Sequence, residues 1–301
     1  MMMAAAHGRS AHRDVVGSYD LHAHSTFSDG SKGVAELVRE AWEAGLAGLA
    51  VTDHDSLSQL SEVREVARAF GLPVLAGVEV SAWNPGTGRK VHVLGYGLEA
   101  TADGSGPLER IVAETLAART ANSLWQAWAI ARSGWRELDL GRVARVAGRS
   151  TAVYKQHVME ALCGQAYTER DYQALYRSLF KGGGVAARDI AYPAATDVVR
   201  AIREQGGVAV LAHPGQMDSW SAVAELVGEG LQGIEAFHPD HDEKDEERAL
   251  GVAGEFGLFV TGGSDFHGRY GAPACLGERF VTPEEAGERV AELFSAEAGL
   301  R

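Results

Sequence analysis

Cysteine is nearly absent from this chain, whose two, Cys163 and Cys275, lie far apart. They offer no disulfide framework and no Cys-x-x-Cys zinc motif, which fits a reducing, cytoplasmic setting, and both are expected to be small buried hydrophobes. Long apolar runs are missing too. None reaches the roughly 18–20 residues of a transmembrane helix, and the stretch from Met1 to Arg9 lacks the apolar segment of a secretory signal. Residues 1–17 read as a disordered tail. Positive charge is also scarce. Against 41 Asp/Glu there are 28 Lys/Arg, a net charge of −13, which argues against a general nucleic-acid coat or an anionic membrane surface. Nothing implies a stable protein partner.

The charge is unevenly spread. Residues 100–184 carry eleven Lys/Arg against eight Asp/Glu, and the remainder 17 against 33. The same middle stretch differs in pattern. Helical periodicity at 107–133, 139–147, 150–163 and 168–180 runs on with no strand between, with Ser150 and Thr168 as expected N-caps. Lys181-Gly182-Gly183-Gly184 reads as a flexible exit. On either side, short apolar strands at 19–24, 48–52, 74–80, 91–97, 208–212, 233–237 and 258–262 alternate with helices at 33–44, 57–70, 196–205, 221–229, 244–256 and 283–296. Such alternation argues for an α/β barrel or doubly wound sheet. Only Trp83 to Arg89 separates the third strand from the fourth, too little for a helix, so a hairpin is expected there. The chain therefore divides into a barrel domain, 18–99 and 185–301, and an all-helical insertion at 100–184 that would cap the substrate.

Ligand-type side chains gather where the strands end. His22 and His24, two apart on an extended segment, point the same way and can grip one ion. Thr52-Asp53-His54-Asp55, Ala212-His213-Pro214 and Ser264-Asp265-Phe266-His267 follow other strands. Glu79 ends the third, and a hairpin would set His92 beside it. Imidazoles mixed with carboxylates, and no thiolates, suit Zn²⁺, Mn²⁺ or Fe²⁺. A carboxylate such as Glu79 can bridge two ions, which would hold a hydroxide between them, lower its pKa and clamp a phosphoryl displacement. Asp53 and Asp55 are expected to support or cap rather than ligate. His238, Asp240 and His241 fall in a polar loop and His157 on a helix of the insertion, and none is expected to be a ligand.

These motifs resemble the polymerase-and-histidinol-phosphatase (PHP) family of metal-dependent phosphoesterases. The matching pieces are Asp20-Leu21-His22-Ala23-His24-Ser25, Ser28-Asp29-Gly30, Val51 to Asp55, Gly77-Val78-Glu79, His92 to Gly97, Leu211 to Gly215 and Gly263 to Gly268, in the family's order. The resemblance implies a distorted (β/α)₇ TIM-like barrel with three metal sites. His22, His24, Glu79 and Asp265 would form the first; Glu79, His92 and His213 the second; Asp29, His54 and His267 the third. Where the family often has histidine this chain has Asp29, an oxygen ligand that would favour Mn²⁺ or Fe²⁺ over Zn²⁺. The Ser-Asp-Gly form looks like the branch of small nucleotide phosphatases and 5′-to-3′ exonucleases. That branch's insertion commonly has Gly-Arg-Pro-His; Gly148-Arg149-Ser150-Thr151 keeps the arginine alone, with Lys155 following.

The expectation is thus an enzyme with two or three divalent ions. It would hydrolyse phosphate esters of a nucleoside mono- or bisphosphate, or of a short oligonucleotide, through a metal-bridging hydroxide. Glu79, His54, His213 and His267 would carry catalysis, mainly as ligands, and Arg149 and Lys155 would hold phosphate. Trp125, Trp128, Trp135 and Tyr154 could stack a base, although helix packing is the expected use. An amidohydrolase would also place His-x-His on its first strand, but such enzymes commonly bridge metals with a modified lysine, and strand 91–97 has none. A non-catalytic, polymerase-associated metal module would not need so complete a ligand set.

Overall fold

The structure, a computed structural model, describes residues 15–101, 103–134, 137–272 and 275–299. Most of the expected tail lies outside these residues. Its last part packs: Val15 contacts the core, and the Gly17 amide donates to Gly45 O at 2.8 Å.

Seven strands form one sheet in sequential order: β1 (Tyr19–Asp20), β2 (Gly48–Val51), β3 (Val74–Asn84), β4 (Arg89–Tyr96), β5 (Val208–Leu211), β6 (Gly233–Phe237) and β7 (Phe259–Gly262). Their side chains are almost all buried, as continuously apolar strands covered on both faces require. The helices around them are α1 (Val34–Glu43), α2 (Leu60–Phe70), α7 (Ala195–Glu204), α8 (Pro214–Met217), α9 (Val223–Gly228), α10 (Glu243–Phe256) and α11 (Pro283–Gly299). Between β4 and α7 come α3 (Pro107–Arg132), α4 (Leu140–Val146), α5 (Lys155–Cys163) and α6 (Arg170–Phe180), with no strand among them. The sheet curls into the expected distorted barrel.

The distortion has a local origin. The β3–β4 hairpin makes β4 antiparallel to both β3 and β5, while the other neighbours pair in parallel. Asn84 shapes the turn, accepting from Thr87 N on its side chain and Gly88 N on its carbonyl, and Gly88 takes the left-handed φ of 68°. β1 is shorter than expected, because beyond Asp20 the chain bonds alternately to both flanks. Leu21 N donates to Gly262 O and His24 N to Phe266 O on one side, and Ala23 O accepts from Thr52 N on the other. These bonds bring β1 against the β7 end and close the barrel around His22 and His24.

The helices α3 to α6 have an apolar cluster of their own, including Ile130, Val143, Met159, Tyr172 and Leu179. Neither expected cap holds. Tyr154 precedes α5 and Glu169 precedes α6, whereas Ser150 turns its hydroxyl to the carbonyls of Phe27 and Ser28. A hydroxyl that ties two elements together is not available to cap a helix that begins five residues later. The glycine-rich exit forms a turn, with Gly184 N donating to Lys181 O at 3.0 Å. No described helix is long and apolar enough to cross a membrane.

The seam also sets a glycine requirement. A Cβ on Gly263 would lie 2.5 Å from the backbone nitrogen and Cβ of His22, whereas one on Gly254 in α10 would meet nothing within 4 Å. Thermal unfolding should therefore show Gly263→Ala destabilised by about 1–3 kcal/mol, and Gly254→Ala stabilised by roughly 0.5–1 kcal/mol. Equal effects would contradict the tight β1–β7 closure.

Candidate metal centre

Inside the mouth of the barrel, Glu79 is fully buried and its two carboxylate oxygens divide five imidazoles between them. Oε2 lies 3.1 Å from His22 Nε2, 3.2 Å from His24 Nε2 and 3.1 Å from His54 Nδ1. Oε1 lies 2.7 Å from His92 Nδ1 and 2.8 Å from His213 Nε2. His92 pairs with Ser81 across the hairpin, not with Glu79, yet leans one pleat along to reach that carboxylate. Asp265 Oδ1 approaches His24 Nε2 at 3.1 Å and His22 Nε2 at 3.5 Å. Asp29 Oδ1 sits 3.4 Å from His267 Nε2, and His24, Asp29, His54 and His267 converge as a group.

The donor set fits divalent ions. His22 Nε2, both ring nitrogens of His24, His54 Nδ1, Glu79 Oε2, Asp29 Oδ1 and Asp265 Oδ1 are buried without an aligned hydrogen-bond partner. Such orphaned atoms are costly unless something satisfies them. Glu235 sharpens the point. Its Oε1 lies 3.0 Å from His22 Nδ1, so a neutral His22 donates there and turns the bare lone pair of Nε2 towards Glu79 and Asp265. Acceptor then faces acceptor, an arrangement that a cation resolves. A tetrahedral site with metal–ligand bonds of about 2.0–2.1 Å has ligand–ligand edges of roughly 3.3–3.4 Å; the four imidazole–carboxylate edges from His22 and His24 to Glu79 and Asp265 run from 3.1 to 3.5 Å.

The surrounding carboxylates favour positive charge at this position, whether carried by a metal ion or by a proton on the rings. Burial opposes charge on His22, but Glu235, Glu79 and Asp265 raise its pKa well above the imidazole range. His24 is raised to about 9 against the same burial by Asp265 and Glu79. His54 goes down to about 3, pushed by burial and by His24 and His92 against the pull of Glu79 and Asp29. Glu79 itself stays ionised far below its usual range because the surrounding imidazoles outweigh its desolvation.

Strained and tightly packed backbone holds these groups. Asp55, His213 and Asp265 have φ of 52°, 23° and 49°, a conformation that non-glycine residues seldom adopt outside functional sites. Asp53 accepts from both amides and both hydroxyls of Ser25 and Ser28, at 2.6 to 3.0 Å, bracing the loop that presents His24 and Asp29. At Gly30 a Cβ would overlap His24 O at 2.3 Å, so the turn after Asp29 needs glycine. Asp20 braces the opposite loop through Ser264 N, Ser264 Oγ and Gly277 N.

Above the cluster opens a cavity of about 730 Å³, walled by the barrel mouth and by α3, α5 and α6. Lys155 lines it. Arg149 does not: its side chain is 69% exposed and its guanidinium reaches Glu62 at 3.6 Å. The anchoring of Ser150 and Thr151 to Phe27 O turns the preceding residue outward, which corrects its expected place. His238 needs the opposite correction. It is buried at the end of β6, with Nε2 3.4 Å from Asp265 Oδ2, and groups with His22 and His213. Asp240 lines the cavity, and His241 accepts from Gly215 N as a structural group. His157 caps its own helix by accepting from Tyr154 N. Trp125 and Trp128 stay off the cavity, packing beneath Arg188 and Arg132, and Trp135 lies outside the described residues.

Three residues had escaped the sequence reading. Glu235 is a lone carboxylate inside the apolar Ile234-Glu235-Ala236-Phe237 run, and that contrast was its one signal. Arg119, within the long α3, reaches down to Asp55 Oδ2 at 2.5 Å and Ser81 Oγ at 2.9 Å. Tyr154, which stood only as a possible stacking group, donates its hydroxyl to His54 O at 2.7 Å.

Known proteins place the chain. The PHP domain model matches residues 20–179. The phosphoribosyl 1,2-cyclic phosphate 1,2-diphosphodiesterase of Eggerthella lenta is 45% identical over 86% of this chain and 98% of its own length. The 3',5'-nucleoside bisphosphate phosphatase of Chromobacterium violaceum is 30% identical over 82% of this chain and 86% of its own. Among solved structures, a chain assigned as a metal-dependent phosphoesterase from Bifidobacterium adolescentis superposes with a TM-score of 0.81 at 27% identity, covering 92% of this chain and 96% of that one. With this family match, these relatives and the cluster around Glu79, the chain belongs to the PHP domain family of metal-dependent phosphoesterases.

Proposed function

We propose that the chain hydrolyses a phosphate ester of a small phosphorylated ribose derivative. The observation that carries this reading is one cavity with unsatisfied metal-type donors at its floor and cationic side chains on its wall. The sugar phosphate reading is favoured by the Eggerthella lenta relative, which this chain matches almost end to end. A nucleoside bisphosphate is the second reading, supported by the Chromobacterium violaceum relative and by the partly exposed aromatic rings of Tyr176 and Tyr192 on the cavity wall.

His22, His24, Glu79 and Asp265 would hold one ion, Glu79, His92 and His213 a second, and Asp29, His54 and His267 a third, with Mn²⁺ or Fe²⁺ favoured at the last. When bound, such ions supply a nucleophile at neutral pH and neutralise charge on the phosphoryl oxygens. His238 extends the first group through Asp265. Glu235 sets the tautomer of His22 and accepts from His213 N at 2.8 Å, so it orients two ligands at once. In the overall reaction water adds to phosphorus, the ester P–O bond breaks, and the leaving oxygen takes up a proton. Arg119, kept charged by Asp55 against its burial, and Lys155 attract and orient the anionic substrate. The helical insertion covers the floor and limits its access to water. Cys163 and Cys275 are free thiols, in keeping with a cytoplasmic protein.

Glu79→Gln should abolish phosphate release and lower metal content in the same sample; full activity in that variant would refute the central role of the carboxylate. Glu235→Gln removes a charge and one acceptor, and should weaken metal affinity or activity by about 10–100-fold with the thermal midpoint little changed. Metal affinity equal to wild type would reduce Glu235 to a packing role. Lys155 is lowered to about 8 by burial, which outweighs Asp189, with Lys90, Lys181 and Arg119 adding to the shift. It loses its charge as pH rises through that value, so KM should climb on the alkaline side. In Lys155→Arg, which stays protonated, that limb should vanish from the pH profile; an unchanged limb would assign it to another group.

A further inference from the structure

The wall of the cavity carries more positive charge than one reacting phosphate explains. Lys90 lies near the start of β4, two residues before His92. Lys155 opens α5, and Lys181 follows α6. All three line the cavity. Lys90 Nζ lies 2.5 Å from Asp189 Oδ2, and Lys155 Nζ 4.0 Å from Asp189 Oδ1. The Tyr192 hydroxyl donates to that same carboxylate at 2.8 Å, and its ring underlies Lys90 at 4.8 Å. The ammonium of Lys181 sits 5.9 Å over the ring of Tyr176, with no ion pair to an acid among the described residues.

Lys90 and Lys155 thus share one carboxylate while Lys181 pairs with none among the described residues, so this stretch of the wall carries an excess of two positive charges. Lys155 is among them although its side chain is only 24% exposed. Concentrating like charge on a partly buried wall is unfavourable unless an anion occupies the space. A phosphomonoester carries about −1.5 to −2 at neutral pH, which matches the excess. The spacing is informative as well. Lys90 and His92 project from the same face of β4, two residues apart, so one strand presents both an ammonium and a neighbour of Glu79 to the same cavity.

We propose that Lys90, Lys155 and Lys181 form a second phosphate subsite, which docks a non-reacting phosphomonoester of the substrate while another phosphate ester of the same molecule is hydrolysed at the Glu79 cluster. This rests on the phosphoesterase reading of the cavity and narrows it. Preferred substrates carry two phosphate groups, and the remote one contributes binding instead of chemistry.

The test compares 5-phosphoribosyl 1,2-cyclic phosphate with ribose 1,2-cyclic phosphate on Mn²⁺-loaded protein, in wild type and in the Lys155→Gln/Lys181→Gln double variant. In wild type the 5-phosphate should raise kcat/KM by at least about 10-fold, the scale of a charge-assisted contact, mostly through KM. In the double variant that ratio should fall towards one. Equal kcat/KM for the two compounds in wild type, or a ratio preserved in the variant, would overturn the subsite. Calorimetric titration with ribose 5-phosphate, set against ribose, tests the same subsite without turnover. The phosphorylated sugar should bind wild type at least about 10-fold more tightly than the double variant, and equal binding would overturn the proposal. That difference persisting in a protein that hydrolyses neither cyclic ester would refute the hydrolytic reading and retain the subsite.

Discussion

One buried carboxylate organises this molecule. Glu79 lies at 0% exposure with five imidazoles on its two oxygens, three on one and two on the other. A charge so deeply desolvated persists only when it is surrounded by compensating groups, and here those groups come from four different segments of the barrel rim. His22 and His24 follow β1, His54 follows β2, His92 rides on β4 and His213 follows β5. Closing the sheet therefore assembles the site, and the positive φ values of His213 and Asp265 are sustained by that closure.

The insertion is tied into the same node. Tyr154 holds the His54 carbonyl, Arg119 reaches Asp55 next in sequence, and Ser150 and Thr151 fasten onto Phe27 and Ser28, just before Asp29. Two of the three segments that would serve the third ion, those of Asp29 and His54, are thus held from above by helices with a separate apolar cluster. The acidic and imidazole-rich floor is a property of the barrel. Most of the cationic wall belongs to the insertion and the segment leaving it, with Lys90 contributed by β4. Opposed polarity across one cavity suits a substrate whose phosphates must be both attracted and attacked.

Much of this was legible in the chain itself, for a local reason. Ligand-type residues following short apolar strands, and the seven-residue interval between Trp83 and Arg89, are short-range signals, and they led to the barrel, the hairpin and the grouping of His22, His24, Glu79 and Asp265. What escaped depends on contacts remote in sequence. Arg119 meets Asp55 from 64 positions away, and Glu235 meets His22 from 213. His238 read as part of a polar loop because its neighbours are polar; only the barrel's curvature brings it to Asp265. Arg149 failed for the converse reason. Its motif was local, but the hydroxyls beside it bind the barrel and turn the arginine to solvent.

The most direct test of the central claim is anomalous X-ray diffraction from Mn²⁺-loaded crystals. The account predicts anomalous peaks within about 2.0–2.2 Å of both oxygens of Glu79, one shared with His22, His24 and Asp265 and the other with His92 and His213. Protein that releases phosphate while no peak lies against Glu79 would contradict it.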